Sequence, residues 1–236
     1  MAVKEIRTRL HKLGDKQKAQ FLQGFFKTGP GGYGEGDIFL GIRVPELRKL
    51  SHEYKTLTAQ EVLPMLRSPI NEERVLALLL LVRSFSKGTA SVRKQIYKMY
   101  LDHTQYINNW DLVDISAPYI VGAFLKDKSK KPLYQLAKSN NLWERRIAVM
   151  ATFHFIRDHR FSETLKISKM LLLDQEDLIH KAAGWMLREV GKRDMGCEEL
   201  FLKEHCKQMP RTMLRYSIEK FSQSKRRMYL DGAVQR

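Results

Sequence analysis

The sequence predicts an all-α protein, and three features of its 236 residues carry that expectation. Apolar residues recur at helical spacing almost throughout, beginning with Val3, Ile6, Leu10 and Leu13, whereas the alternation of a half-buried strand is almost absent. Helix-ending residues punctuate the chain regularly, at Gly14-Asp15, "TGPGGYGEGD", Pro45, Ser68-Pro69, Lys87-Gly88, "DKSKKP", "SNN", Gly191 and Pro210. Third, "RIA" (Arg146 to Ala148), "KAA" (Lys181 to Ala183) and "RYS" (Arg215 to Ser217) recur at offsets of 35 and 34 residues, and stepping back 35 and then 36 residues from Ala148 reaches Val113 and Ala77. A helix pair of that length cannot bury its own apolar face and must lean on its neighbours. The expected architecture is a curved α-solenoid of antiparallel helix pairs, a single domain over residues 1–236 with a concave face.

Charge narrows the partner. Lys plus Arg outnumber Asp plus Glu by 42 to 26, and a net charge of +16 is far more than solubility requires. A polyanion is expected, and the concave face is expected to be basic. Nucleic acid is favoured over membrane because the apolar run "VLALLLLV" (Val75 to Val82) is far shorter than the roughly 20 residues that span a bilayer. "MAVKEIRTRLHKLGDKQKA" scatters charges where a signal peptide needs an apolar stretch, so a cytoplasmic protein is expected, associated with the bacterial nucleoid when on DNA; separately, a monomer is expected. Cys197 and Cys206 form no C-x-x-C, so neither a disulfide framework nor a cysteine-rich metal site is supported; His205 beside Cys206 reads as an ordinary surface pair.

Taken along the chain, the first helix leads through Gly14 to "AQFLQGFFK", again helical in pattern. "GPGGYG" then satisfies G-x-G-x-x-G with Gly29, Gly31 and Gly34, but no strand precedes it and no βαβ unit follows. It reads as a flexible inter-helix loop, with backbone amides or Tyr33 available to a phosphate or sugar. In "NNWDLVDISAPYI" (Asn108 to Ile120) a helix starting near Asn109 places Trp110 and Asp114, four apart, on one face, with Leu112, Ile115 and Tyr119 elsewhere. Asp111 in the first turn reads as a capping residue. Asp114 sits deeper in an apolar helix and must be solvated or paired. Pro118 disrupts the helix one turn on.

"NLWERRIAVM" starts at an N-cap near Asn141 and brings Arg145 and Arg146 into the helix opening, either as a solvated face or as part of a phosphate track. By the repeat register Arg146 and Lys181 are equivalent and are expected on the same surface. In "LIHKAAGWMLREVGK" (Leu178 to Lys192) the buried stripe is Ile179, Ala183, Met186 and Val190, which leaves Trp185 on the side of Lys181 and Arg188. Packing alone is the commoner reason for such a Trp. Two tryptophans in separate repeats, each one turn from a charge, argue against that explanation. "KSKK" and "SKRR" add cations for sequence-independent affinity.

"NNWDLVD", "NLWERRIAV" and "IHKAAGWMLREVGK", in this order, resemble the AlkD-like DNA alkylation-repair glycosylases, which are built from HEAT-like helical repeats; "FLGIRVPELRKL" (Phe39 to Leu50) resembles that family's N-terminal segment. The resemblance implies hydrolysis of the N-glycosidic bond of positively charged N3- and N7-alkylated purines in duplex DNA, with neither metal nor other cofactor. It assigns the acid to Asp114, the tryptophans to Trp110 and Trp185, and the site arginine to Arg146. It also implies a grip on the backbone around the lesion in place of a base-flipping pocket. The family's pattern has an aromatic hydroxyl near its start where this chain has "GFFK", with Phe25, and the loop "GPGGYGEGD" is longer than in that pattern.

The chemistry suits such residues. An alkylated purine is already a cation and a good leaving group, so what helps is negative potential at the sugar and an oriented water, which an ionised Asp114 supplies. Indole faces favour a cation by about 0.5 to 2 kcal/mol each, and Arg146 is expected to bind a phosphate beside the lesion. Two other readings stand beside this one. A non-catalytic solenoid would bind bent, branched or damaged nucleic acid through its cations, and a peptide-binding helical scaffold would have less use for the charge.

Overall fold

The computed structural model describes residues 2–233. Among them the secondary structure is helical, with no strand, and the single β-bridge pairs Ile38 with Ile70. The chain condenses into two compact units, Met1–Ser116 and Ala117–Arg236.

The first unit holds α1 (Ala2–Leu13), α2 (Lys16–Phe25), α3 (Val44–Glu53), α4 (Ala59–Leu66), α5 (Asn71–Lys87), α6 (Ala90–Leu101) and the short α7 (Trp110–Asp114). Its centre is α5, against which α3, α4, α6 and α7 pack. Every residue from Asn71 to Leu81 is buried, so the apolar run that was too short for a membrane is a core helix, apolar on all sides. Three charges in its first turns share that burial, and each is answered. Glu72 accepts hydrogen bonds from the backbone amides of Leu40, Gly41 and Ile42 at 2.8–3.2 Å. Glu73 pairs with Arg7 of α1 at 3.0 Å. Arg74 pairs with Asp37 at 2.5 Å. Buried charges are tolerable when they are paired and hydrogen-bonded in this way. Glu72 and Arg74 fasten the segment around residues 37–42 to α5, and Glu73 fastens α1 to it.

In the second unit a π-helical turn (Pro118–Gly122) leads through α8 (Ala123–Leu125) to α9 (Lys131–Ala137), α10 (Leu142–Ala151) and α11 (Phe153–Ile156). There follow α12 (Ser162–Met170), α13 (Asp177–Gly191), α14 (Met195–His205), α15 (Arg211–Ser217) and α16 (Gln223–Leu230). Here α13 is central, with α10, α12, α14 and α15 packed against it. The expected stripe of Ile179, Ala183, Met186 and Val190 is fully buried. The repeat register also holds in burial: Ala77, Val113, Ala148, Ala183 and Ser217, spaced 36, 35, 35 and 34 apart, are each 0% exposed.

His205 and Cys206 correct the expectation of a surface pair. Both are buried, and the imidazole packs on the Phe201 ring at 4.6 Å. They lie on the inward side of the end of α14, and burial lowers the His205 pKa. Both cysteines are free, and among the described residues no group of acids, histidines and cysteines is placed to hold a metal. No described helix is long and apolar enough to cross a membrane.

Candidate active site

The site is built on α7, whose five residues are set by their neighbours. Asn109 is fully buried and caps the helix by accepting from the Trp110 amide at 2.8 Å, while its own Nδ2 donates to Asp37 at 3.0 Å. Arg74 bridges the other Asp37 oxygen and Asn108 Oδ1, both at 2.5 Å. Glycine-rich segment, central helix and α7 are therefore joined through one ion pair. Leu112, Val113 and Ser116 face the core, and the opposite face presents Trp110, Asp111, Asp114 and Ile115. Trp110 and Asp114 thus share a face as expected, but Ile115 belongs to that face too.

That face lines an open cleft of about 720 Å³. Across it stand Phe21 and Phe25 of α2, with Val44 and Pro45 at the start of α3. The indole of Trp110 stacks on Phe26 at 5.0 Å and 18° and meets Phe25 edge-on at 6.1 Å. Its Nε1 donates to the Tyr33 hydroxyl at 3.2 Å, and that hydroxyl donates in turn to the Phe25 carbonyl. The glycine-rich loop is accordingly not the flexible connection expected of it. It folds back onto α7 and supplies an aromatic hydroxyl beside Trp110, next to the Phe25 that stands where the resemblance called for one. A Cβ at Gly34 would lie 2.4 Å from the Phe26 carbonyl oxygen, so the close approach needs glycine there.

Asp111 is the residue that sequence reasoning misjudged. The cap is Asn109, and the Asp111 side chain accepts from the Leu112 amide at 2.8 Å while lining the cleft. Burial raises its pKa to about 7, with the nearby Asp37 charge adding to the rise, while the Leu112 amide, Asn71 and Arg74 oppose it. The signal was present in the pattern W-D-L-V-D-I-S: a helix burying Leu112, Val113 and Ser116 must turn residues 110, 111, 114 and 115 to the other side.

The remaining candidates lie in the second unit. Trp185 is half-buried, outside the stripe and on the side of Lys181 and Arg188 as expected, and its Nε1 donates to Glu189 at 3.3 Å. Lys181 is 40% exposed along its side chain and pairs with Asp177 one turn away at 2.7 Å. Arg188 pairs with Glu219. Arg145 is engaged by Asp174 and by the carbonyls of Ser139 and Asn140, so a phosphate would compete with these partners. Arg146 is 4% exposed and donates to the Leu178 carbonyl at 2.6 Å, which ties α10 to the start of α13. Arg146 and Lys181 therefore share a repeat position without sharing exposure. Trp143, in the motif with these arginines, is a core residue.

A family model described as DNA alkylation repair enzyme matches residues 6–221, a span that runs through both units. Among curated proteins none matches. Among solved structures, a predicted DNA alkylation repair enzyme from Enterococcus faecalis superposes with a TM-score of 0.68 at 17% identity, covering 89% of this chain and 97% of that one. AlkD2 from Streptococcus mutans gives 0.53 at 20% identity over 88% and 99% of the two chains, and smu.31 from the same species 0.52 at 20% over 86% and 95%. At such identities these likenesses establish a shared helical-repeat fold. With the family model covering nearly the whole length, the chain belongs to the DNA alkylation repair enzyme family.

Proposed function

We propose that the protein is a DNA glycosylase that hydrolyses the N-glycosidic bond of positively charged N3- and N7-alkylated purines in duplex DNA, the first step of base excision repair. The observation that carries this reading is the pairing of Trp110 and Asp114 on one face of α7, lining an open, largely apolar cleft. A carboxylate at an apolar wall acts more strongly on a developing cation than one in bulk water, because less solvent screens it. In the proposed step the C1′–N9 bond breaks with its electron pair going to the purine, which leaves neutral. The sugar cation that forms beside Asp114 is captured by a water whose proton that carboxylate can accept. Trp110 favours a cationic over a neutral purine by about 0.5 to 2 kcal/mol. Trp185 is the second indole of the proposal, and Lys181, Arg188, Arg145 and Arg146 are its phosphate-contacting set, with Lys181 the most exposed of the four.

The test is release of free base from methylated duplex DNA by the purified protein. Asp114→Asn is expected to slow release of 7-methylguanine by about 10²- to 10³-fold, the usual loss for one electrostatic stabiliser, with DNA affinity almost unchanged. Wild-type excision by Asp114→Asn would remove the carboxylate from the mechanism. Salt-dependent DNA binding with no base released from any alkylated substrate would leave the non-catalytic nucleic-acid reading in its place.

A further inference from the structure

An indole ring is negative on its faces and positive around its edge, with the Nε1–H the most positive point of that edge. A cation is attracted over the face and repelled at the N–H, so the direction in which the ring is held decides the sign of its contribution. Trp185 is half-buried and lies outside the buried stripe of α13, where packing constrains a ring less than in the core. Its Nε1 donates to Glu189 Oε1 at 3.3 Å. Glu189 stands one turn further on, and helical side chains lean toward the N-terminus, so the carboxylate reaches back over Trp185.

That carboxylate is itself held from several sides. Lys192 Nζ donates to Oε1 at 2.5 Å, and Arg193 Nη1 donates to Oε2 at 3.1 Å and to the Glu189 carbonyl at 2.9 Å. The Arg193 guanidinium lies over the Phe153 ring of α11 at 6.0 Å. The Glu189 side chain is only 9% exposed. Burial alone would raise its pKa, but the hydrogen bonds from Lys192 and Arg193, with that from Trp185, outweigh burial and hold the carboxyl below its ordinary value. Desolvating a carboxylate is costly, and the N–H of a half-buried indole could have been left to water.

We propose that Glu189 is the positioning residue of Trp185: it draws the N–H edge toward the end of α13 and so presents the indole face, and not its positive edge, to the positively charged base. The identity of that base rests on the proposed glycosylase reading. Glu189 acts by direction and not by field, because Lys192 and Arg193 together carry more positive charge than it carries negative. Within the first unit Trp110 is provided for in the same way, with its Nε1–H taken by the Tyr33 hydroxyl at 3.2 Å. Both indoles of the proposed reaction thus have their positive edge engaged by the protein.

Two substitutions separate reach from charge. Glu189→Asp keeps the charge that Lys192 and Arg193 pair with but is a methylene too short to hold Nε1, whereas Glu189→Gln keeps the reach and loses the charge. In the full chain Glu189→Asp is expected to slow release of 7-methylguanine from methylated duplex about tenfold, the size of one indole–cation contact, and Glu189→Gln to stay close to the wild type. The Trp185 indole N–H proton resonance, assigned by its loss in Trp185→Phe, is expected to move upfield and to exchange faster with water in Glu189→Asp but not in Glu189→Gln. Wild-type release by Glu189→Asp, an unmoved resonance in it, or release by Glu189→Gln as slow as by Glu189→Asp overturns the positioning role and leaves the glycosylase reading standing. If the wild type releases no base, that reading falls, and the same variants are compared for preference of methylated over unmethylated duplex. A preference lost in Glu189→Asp and kept in Glu189→Gln then upholds the positioning, and any other pattern overturns it.

Discussion

At the scale of single residues, the buried polar atoms around α7 decide more than the apolar ones. Asp37 and Arg74 are both nearly inaccessible, so removing one partner strands a charge in the interior. Asp37→Ala is expected to cost about 3 to 5 kcal/mol in denaturant unfolding, and to loosen Trp110 because Asn109 loses its Asp37 contact. Glu198 poses the opposite case. It is 1% exposed, its Oε1 lacks a hydrogen bond, and burial with the adjacent Glu199 charge raises its pKa to about 8. A carboxyl whose pKa is raised on folding binds its proton more tightly when folded, so stability is lost as pH climbs from the unfolded value near 4.5 through about 8. Glu198→Gln is expected to raise the melting temperature more at pH 9 than at pH 5, and an equal effect at both would refute the assignment. These residues also mark where the sequence was hard to read. Asp111 stood where caps stand, and its different role depends on Asn71 and Arg74, some 40 residues away in the chain.

At the scale of helices, α2 and α5 are extremes of the first unit. Helix α5 is buried from Asn71 through Leu81, whereas α2 buries nothing and is held by its Asp15 cap and the contacts of its flanking loops. Local opening should follow that contrast. Amide exchange in α2 is expected to be faster than in α5 by orders of magnitude, and comparable protection would show that α2 is held by contacts beyond its caps. Asp15→Ala removes hydrogen bonds to two amides and is expected to lower protection further, with the loss confined to α2. Gly41 joins this corner to α5: its φ is +83° and a Cβ there would meet the Asp15 carbonyl oxygen at 2.3 Å. The amphipathic pattern of α2 was plain in the sequence. That its apolar side faces an open cleft was not, because periodicity locates an apolar face without saying what covers it.

At the scale of the whole molecule, a charge of +16 sets the terms of binding to a polyanion. Affinity for undamaged duplex is expected to fall steeply with salt, with log K falling by about 0.9 per log unit of salt for each phosphate neutralised. Lys181→Ala, which removes an exposed cation, should reduce that slope by about 0.9. An unchanged slope would take Lys181 off the DNA-contacting surface.

Helical class, the 35-residue register, the α13 stripe and the shared face of Trp110 and Asp114 were legible in the sequence, because each follows from the fixed rotation of an α-helix about its own axis. The tertiary structure alone decided the rest: that the glycine-rich loop returns its tyrosine to Trp110, that Asp111 turns into a cleft, that Arg146 is buried while Lys181 is not, and that His205 and Cys206 lie inside. Each of these depends on which distant segment supplies a hydrogen-bond partner or excludes water. No local rule of spacing contains that information.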